Sequence, residues 1–135
     1  MNTSNIFPVC KAFCDGILIA QAYSPENPSE INMAFRNAYQ KQYQKEPPQF
    51  TAQTFTAVQV FVEALKVMNS QTKVNILPLP QLRTKLNEQV LIGKYDTPLG
   101  EIAFTLEGEV IQKQFYVARI EIENDGKNGK FVFIK

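Results

Sequence analysis

The chain has 135 residues, 44% of them hydrophobic, with ten Phe and five Tyr. That is enough apolar material for one packed domain and too much for a disordered segment. Its 14 basic and 13 acidic residues leave a net charge of +1 and no basic run, which argues against nucleic-acid binding. It contains no histidine, which rules out His-based metal sites, Ser-His-Asp triads and Cys-His pairs.

The chain opens on Met1-Asn2-Thr3-Ser4-Asn5. This stretch has neither a basic n-region nor a long apolar h-region, so no signal peptide is expected in this chain. It is read as cytoplasmic, or as preceded by a leader and further sequence. No run approaches the roughly 18–20 apolar residues of a membrane span. Cys10 and Cys14 are the two cysteines. Two alone cannot close a structural zinc site, and no cofactor is expected.

The run Gly16–Ala20 is short and apolar and lies between Asp15-Gly16 and Ser24-Pro25, the pattern of a buried strand. Two prolines in Ser24–Pro28 make a turn. A first helix follows, with Asn27 as N-cap, Pro28 at its first position and Glu30 as capping-box acid. Ile31, Phe35, Ala38, Tyr39 and Tyr43 fall on one face, and Glu46-Pro47-Pro48 ends the helix.

A second helix starts near Thr51 and carries Phe55, Val58, Phe61, Val62, Leu65 and Met68 at helical spacing. It is apolar enough to be covered on more than one side, and Asn69-Ser70-Gln71 stops it. A third helix is expected from about Pro80 to Glu88, with Leu82, Leu86 and Val90 on one face. Val74–Pro80 is too rich in proline for a central strand.

After Pro98 the period falls to two. Ile102, Phe104 and Leu106 alternate with Glu101, Ala103 and Thr105; Glu107-Gly108 turns; Val110-Ile111 begins a return. Gln114–Glu123 reads as a long strand with Tyr116, Ala118, Ile120 and Ile122 on one face. Asn124-Asp125-Gly126 and Asn128-Gly129 are turns, and Phe131–Ile134 is a last strand. The late strands read as hairpins that pair locally. By this count the chain holds more sheet-covering helix than sheet, which places part of the fold in further sequence or in a partner chain.

Four segments carry a resemblance. Phe50-Thr51-Ala52-Gln53-Thr54-Phe55-Thr56-Ala57-Val58 looks like the helix opening of type I periplasmic binding proteins of the branched-chain amino-acid class. There the family runs into T-Y-D/A-A-V, and Phe55 and Thr56 depart from its commoner Tyr and Asp or Ala. Thr97–Thr105 with Glu107-Gly108-Glu109 resembles the family's late hairpin. Gln114–Ile120 resembles the strand after it, and Asp15-Gly16-Ile17-Leu18 resembles the segment leading into the first strand here. The order and spacing hold over roughly residues 13–135.

The resemblance implies an α/β fold: a fragment of the type I periplasmic-binding-protein fold, with three sheet-covering helices followed by antiparallel C-terminal strands. Residues 1–135 are then a single partial domain of a two-lobed receptor more than twice this long. Ile17–Tyr23 and Phe115–Ile120 look like two of the strands that cross between lobes. Helices 28–45, 51–68 and 80–90 would cover the sheet of the first lobe. The implied function is solute binding for an ABC importer of amino acids or similar small solutes, without catalysis. The implied partners are a small-molecule solute and an ABC permease, and the parent would be periplasmic or extracellular. The family's gripping residues lie mostly upstream, so no ligand contact is carried over.

Each singled-out residue also has a plainer reading. Cys10 and Cys14 can form a local disulfide, a redox pair spaced C-x-x-x-C rather than C-x-x-C, or two half-buried thiols. The implied periplasm is oxidising and admits the disulfide. Tyr23, at the end of the first strand, is the candidate ligand-facing or hinge residue, because ligands of open α/β sheets gather beyond strand ends. Glu107 and Glu109, with Asp96, Glu101 and Asp125 nearby in sequence, could pair for acid–base work; hairpin turns carry such acids for solubility. Phe35, Tyr39 and Tyr43 could form an aromatic box, but at helical spacing they read as core. Lys41, Lys45, Lys66 and Lys73 are scattered and read as a solvated face. The alternative function is a self-associating structural module, a homodimer whose chains cover each other's exposed faces.

Overall fold

Prolines and short polar turns divide the chain into segments that return to two separate sheets. The structure is a computed structural model and describes residues 3–134; Met1 and Asn2, read above with the missing leader pattern, lie outside the described residues. Two 3-10 turns, Ser4–Ile6 and Lys11–Cys14, flank helix α1 (Phe7–Cys10), with Pro8 in its first turn. Strand β1 (Leu18–Gln21) follows, then helices α2 (Glu30–Tyr43), α3 (Gln49–Gln71) and α4 (Leu79–Ile92). Strands β2 (Tyr95–Thr97), β3 (Gly100–Phe104), β4 (Val110–Gln112), β5 (Tyr116–Ile122) and β6 (Gly129–Ile134) complete the order.

The strands form two three-stranded sheets, β1-β5-β6 and β2-β3-β4, antiparallel throughout. Local pairing holds for the β2–β3–β4 meander and for the β5–β6 hairpin. Strand β5 also pairs non-locally, lying between β1 and β6 with Ile19 opposite Ala118 and Gln21 opposite Tyr116. On β5 the anticipated inner face is the buried one: Ala118 and Ile120 are buried, and Tyr116 and Ile122 are half-buried.

Several boundaries differ from the sequence reading, each for a local reason. The cap of α2 is Ser29, whose Oγ accepts from the Asn32 N–H at 3.3 Å. Asn27 instead turns its Oδ1 back to the Ser29 N–H at 3.1 Å, an Asx turn that competes with capping. Helix α2 ends before the prolines, at Gln44 in a left-handed conformation with φ 56°. Pro48, not Thr51, precedes α3, and α3 runs through Asn69-Ser70 to Gln71. Asn69 caps the next turn, accepting from the Val74 N–H at 3.2 Å. Helix α4 extends beyond Glu88 to Ile92.

The side of α3 that packs was also unexpected. Its buried line is Ala52, Thr56, Val60, Ala64 and Met68, one residue per turn. Ala52, Thr56 and Ala64 are small, and this face of α3 packs against α4 and β2. Of the anticipated face only Met68 is buried; Phe55, Val58, Phe61 and Val62 are exposed. The helices pack on the β2–β3–β4 sheet, through α2 and α3 on β2 and α4 on β3. Among the described residues no helix is long and apolar enough to cross a membrane.

Two cores result. One joins Tyr23, Phe35, Ala52, Leu99 and Ile102. The other joins Phe7, Cys14 and Ile120, with Ile19, Ile122 and Phe131 packed against it. The chain leaves the second core along β1, builds the whole of the first, and returns along β5.

Candidate ligand cleft at the crossing strands

The passage between the cores is fixed by polar side chains. Where β1 ends, the Ala22 N–H donates to Gln49 Oε1 at 2.8 Å, across 27 residues of chain. Ala22 O accepts from Gln112 Nε2 at 2.7 Å. The same amide nitrogen reaches Leu99 O at 3.2 Å and Gln114 O at 2.9 Å. One glutamine thus ties the outgoing strand, the returning strand and the β2–β3 turn together. Beyond Ala22, Asn32 Nδ2 holds Pro25 O at 3.3 Å and Asn27 O at 2.7 Å. Ser24, Asn27 and Asn32 are all buried, so this loop behaves as an ordered connection.

Beside the crossing lies a cleft of about 320 Å³, bounded by Phe7 and Phe131 from one half and by Pro47 and Pro48 from the other. Gln21 and Tyr23 also line it. Tyr23 is only 2% exposed and sets its ring edge-on to Phe35, with centroids 6.2 Å apart. Its hydroxyl and Gln21 Oε1 are buried without a hydrogen-bond partner. Asn27 Nδ2, Asn32 Oδ1, Thr56 Oγ1 and Gln59 Oε1 are buried without a partner as well.

Burial pushes the Tyr23 phenol well above its ordinary range, and the Glu46 carboxylate adds to the rise while Arg36 opposes it. Arg36 and Gln40 both bind Glu46, through Arg36 Nε at 2.8 Å and Gln40 Nε2 at 2.6 Å. A phenol with a raised pKa keeps its proton in the folded chain after the unfolded chain has lost it. Its stabilisation is present below the ordinary tyrosine value of about 10 and is lost as pH rises above it. The urea midpoint is therefore expected to fall above about pH 10, and to fall less steeply in Tyr23→Phe. Parallel profiles for the two proteins would refute this. Tyr95 and Tyr116 are raised by burial in the same direction, so part of the slope persists in the variant.

Of the other candidates, Cys10 and Cys14 have Cα atoms 5.6 Å apart and their sulfurs are placed as a disulfide. Cys14 belongs to the second core. Among the acids, Asp96 and Glu101 stand opposite each other in the β2–β3 pair and line one surface pocket with Glu30. Glu101 pairs with Lys113 at 3.0 Å, and Asp125 accepts from the N–H groups of Lys127 and Asn128 within its own turn. Glu107 and Glu109 flank Gly108, whose φ of +89° makes the β3–β4 turn. Phe35 is core, as expected; Tyr39 is half-buried and Tyr43 exposed along an open apolar groove between α2 and α3. Gln21, Gln49 and Gln112 were missed by the sequence reading.

Residues 8–130 match the protein family described as periplasmic binding protein. Solved structures with a similar fold include a leucine-binding protein from Thermotoga maritima, 19% identical, with a TM-score of 0.76 over 98% of this chain and 33% of that one. Another is an ABC-type branched-chain amino acid transporter from Rhodopseudomonas palustris, 21% identical, TM-score 0.72, covering 100% of this chain and 34% of that one. A third is a solute-binding protein of an ABC transporter from Rhodopseudomonas palustris in complex with 3,4-dihydroxybenzoic acid, 20% identical, TM-score 0.67, covering 98% and 33%. At these identities the likeness shows the fold alone. The chain spans about a third of the length of these structures. No curated protein matches the sequence.

Proposed function

Because the chain belongs to the periplasmic binding protein family, we propose that it forms part of a receptor that binds a small solute and delivers it to an ABC permease. The solute class is amino acids or similar small molecules, and the role is binding without catalysis. The receptor would work in the periplasm or outside the cell. The observation that carries this reading is the pair of cores joined by neighbouring antiparallel strands, β1 and β5. Such a joint lets two halves approach a ligand without breaking either core. Tyr23, on the outgoing strand beside the cleft, is the ligand-facing or hinge candidate.

In this reading residues 1–135 are a single partial domain. The exposed Phe55, Val58, Phe61 and Val62 face the rest of the receptor. Oxidation of Cys10 and Cys14 is part of the proposal, and intact mass after thiol alkylation tests it; two added alkyl groups would count against the disulfide. For ligand binding the test is a thermal-shift screen against amino acids and aromatic acids. A ligand at 100 times its Kd should add about 2.7 kcal/mol. A flat screen on a protein carrying this chain and the remaining receptor length would overturn the reading.

The same exposed apolar face favours a second reading, a self-associating module in which two copies cover each other. That reading requires a dimer in analytical ultracentrifugation, and a monodisperse monomer would sink it.

A further inference from the structure

We propose that the open edge of β6 pairs antiparallel with the β6 edge of a second copy, joining two three-stranded sheets into one. The inference is independent of the solute-binding reading, and it places self-association on a surface other than the apolar face of α3.

The ladder shows which backbone groups are free. The Glu123 N–H donates to Asn128 O at 2.8 Å. From that pair the β5–β6 register continues through Glu121 and Lys130, Arg119 and Val132, and Val117 and Ile134. Hydrogen-bonded and non-hydrogen-bonded pairs alternate along an antiparallel ladder. The other side of β5 agrees, because Ile120 exchanges its bonds with Ile17 O and the Gly16 N–H, toward β1. Lys130, Val132 and Ile134 therefore turn their peptide groups to β5, and Gly129, Phe131 and Phe133 turn theirs outward. Among the described residues these outward N–H and C=O groups have no hydrogen-bond partner. A row of this kind is a template for another strand.

Strand β6 is also the longest edge. It has six residues, against four in β1 and three each in β2 and β4. Just past the end of β1, Ala22 already gives its N–H to Gln49 and its O to Gln112. Proline, bulges and charges are the usual guards of an exposed edge. Strand β6 has no proline and an unbroken register with β5, and the ammonium of Lys130 is drawn to Glu121 at 3.4 Å. Phe131 packs on Phe7 with centroids 4.9 Å apart, and Phe133 stands edge-on to Tyr116 at 6.2 Å. These contacts hold the strand in place before it pairs.

The edge is its own complement. A two-fold axis at Phe131 sets Phe131 opposite the partner's Phe131 and Gly129 opposite the partner's Phe133. The outward N–H and C=O groups of all three residues then meet their counterparts, and the glycine leaves room for the facing ring. No charged residue enters these pairs. A second copy presents the same outward residues in the order that this symmetry requires. One strand pair buries little area, so the dimer is weak and reversible.

The test is sedimentation of the whole chain from about 10 µM to 1 mM, a range that brackets weak association, with amide exchange measured at both ends. A monomer–dimer equilibrium is expected, and the Phe131 and Phe133 amides should exchange at least about tenfold more slowly at the high end. Phe133→Pro removes an outward N–H and no bond to β5. It should weaken dimerisation at least about tenfold, with unchanged circular dichroism, whereas Val58→Ser on α3 should leave it as it was. If Phe133→Pro fails to fold, amide exchange in the unsubstituted chain decides. A monomer at every concentration overturns the inference, sinks the second reading above and leaves the receptor reading standing. A dimer whose Phe131 and Phe133 amides stay open, or one that a folded Phe133→Pro leaves intact, overturns the inference and leaves the α3 face as the interface.

Discussion

Ile120→Ala is expected to lower the unfolding free energy by about 2–5 kcal/mol. Ile120 is 1% exposed at the middle of the central strand β5. It stands opposite Phe131 in β6, and its backbone exchanges hydrogen bonds with Ile17 O at 2.9 Å and the Gly16 N–H at 2.8 Å. Phe7 and Cys14 share its buried cluster, and Ile6, Cys10, Ile19, Ile122 and Phe131 pack against it, so removing its carbons leaves a cavity that these neighbours close only in part. Single domains are commonly stable by about 5–15 kcal/mol, and a loss of this size is a large fraction. Val117→Ala, at a strand residue 45% exposed, should cost about 0.5 kcal/mol or less. Urea unfolding followed by circular dichroism measures both, and equal costs would show that the second core does not depend on Ile120.

Gln112→Leu is expected to cost about 2–3 kcal/mol, because a single side chain supplies the partner of three carbonyls. Those of Ala22, Leu99 and Gln114 all receive its amide nitrogen. Leucine keeps the bulk and removes the donors, and water can replace them only where the cleft admits it. The larger effect is local. Amide exchange at residues 21–24 and 112–116 should accelerate by at least about tenfold, while the centre of α3 stays protected. Uniform acceleration along the chain would mean that Gln112 supports the whole fold and not the crossing. If the crossing is the joint of a closing receptor, the same variant should change solute affinity without touching the solute.

Much of this architecture could be read from residue order. The three helices show in their 3.6-residue spacing, and the inner face of β5 shows in the alternation of Tyr116, Ala118, Ile120 and Ile122. The buried side of α3 does not show. Phe55, Val58, Phe61 and Val62 dominate any hydrophobic pattern, yet close packing selected Ala52, Thr56 and Ala64, which carry little hydrophobic weight. Strand β2 has three residues, too few for a period. The cap of α2 was ambiguous because Asn27 and Ser29 both offer a side-chain oxygen within two residues of each other. Local pairing rules could not yield β1 beside β5, since that contact depends on the whole intervening chain.

At the candidate site, Tyr23 could be singled out from its place at a strand end. Gln21, Gln49 and Gln112 could not. A glutamine near a strand or helix end reads as solvent-facing, and the partners of Gln112 lie 90, 13 and 2 residues away. Its role exists only once the first core has brought Ala22 and Leu99 together.

The pairing of Leu18 with Arg119 also orders events in time. All residues of the first core lie between Tyr23 and Ile102, so a chain leaving the ribosome can assemble it before β5 has been made. The second core needs Phe7 and Ile120 together, and closing that loop carries an entropy cost that grows with its length. High contact order of this kind slows folding. The β1–β5–β6 sheet should therefore be the late-forming unit, with the edges of β1 left open until β5 has been made.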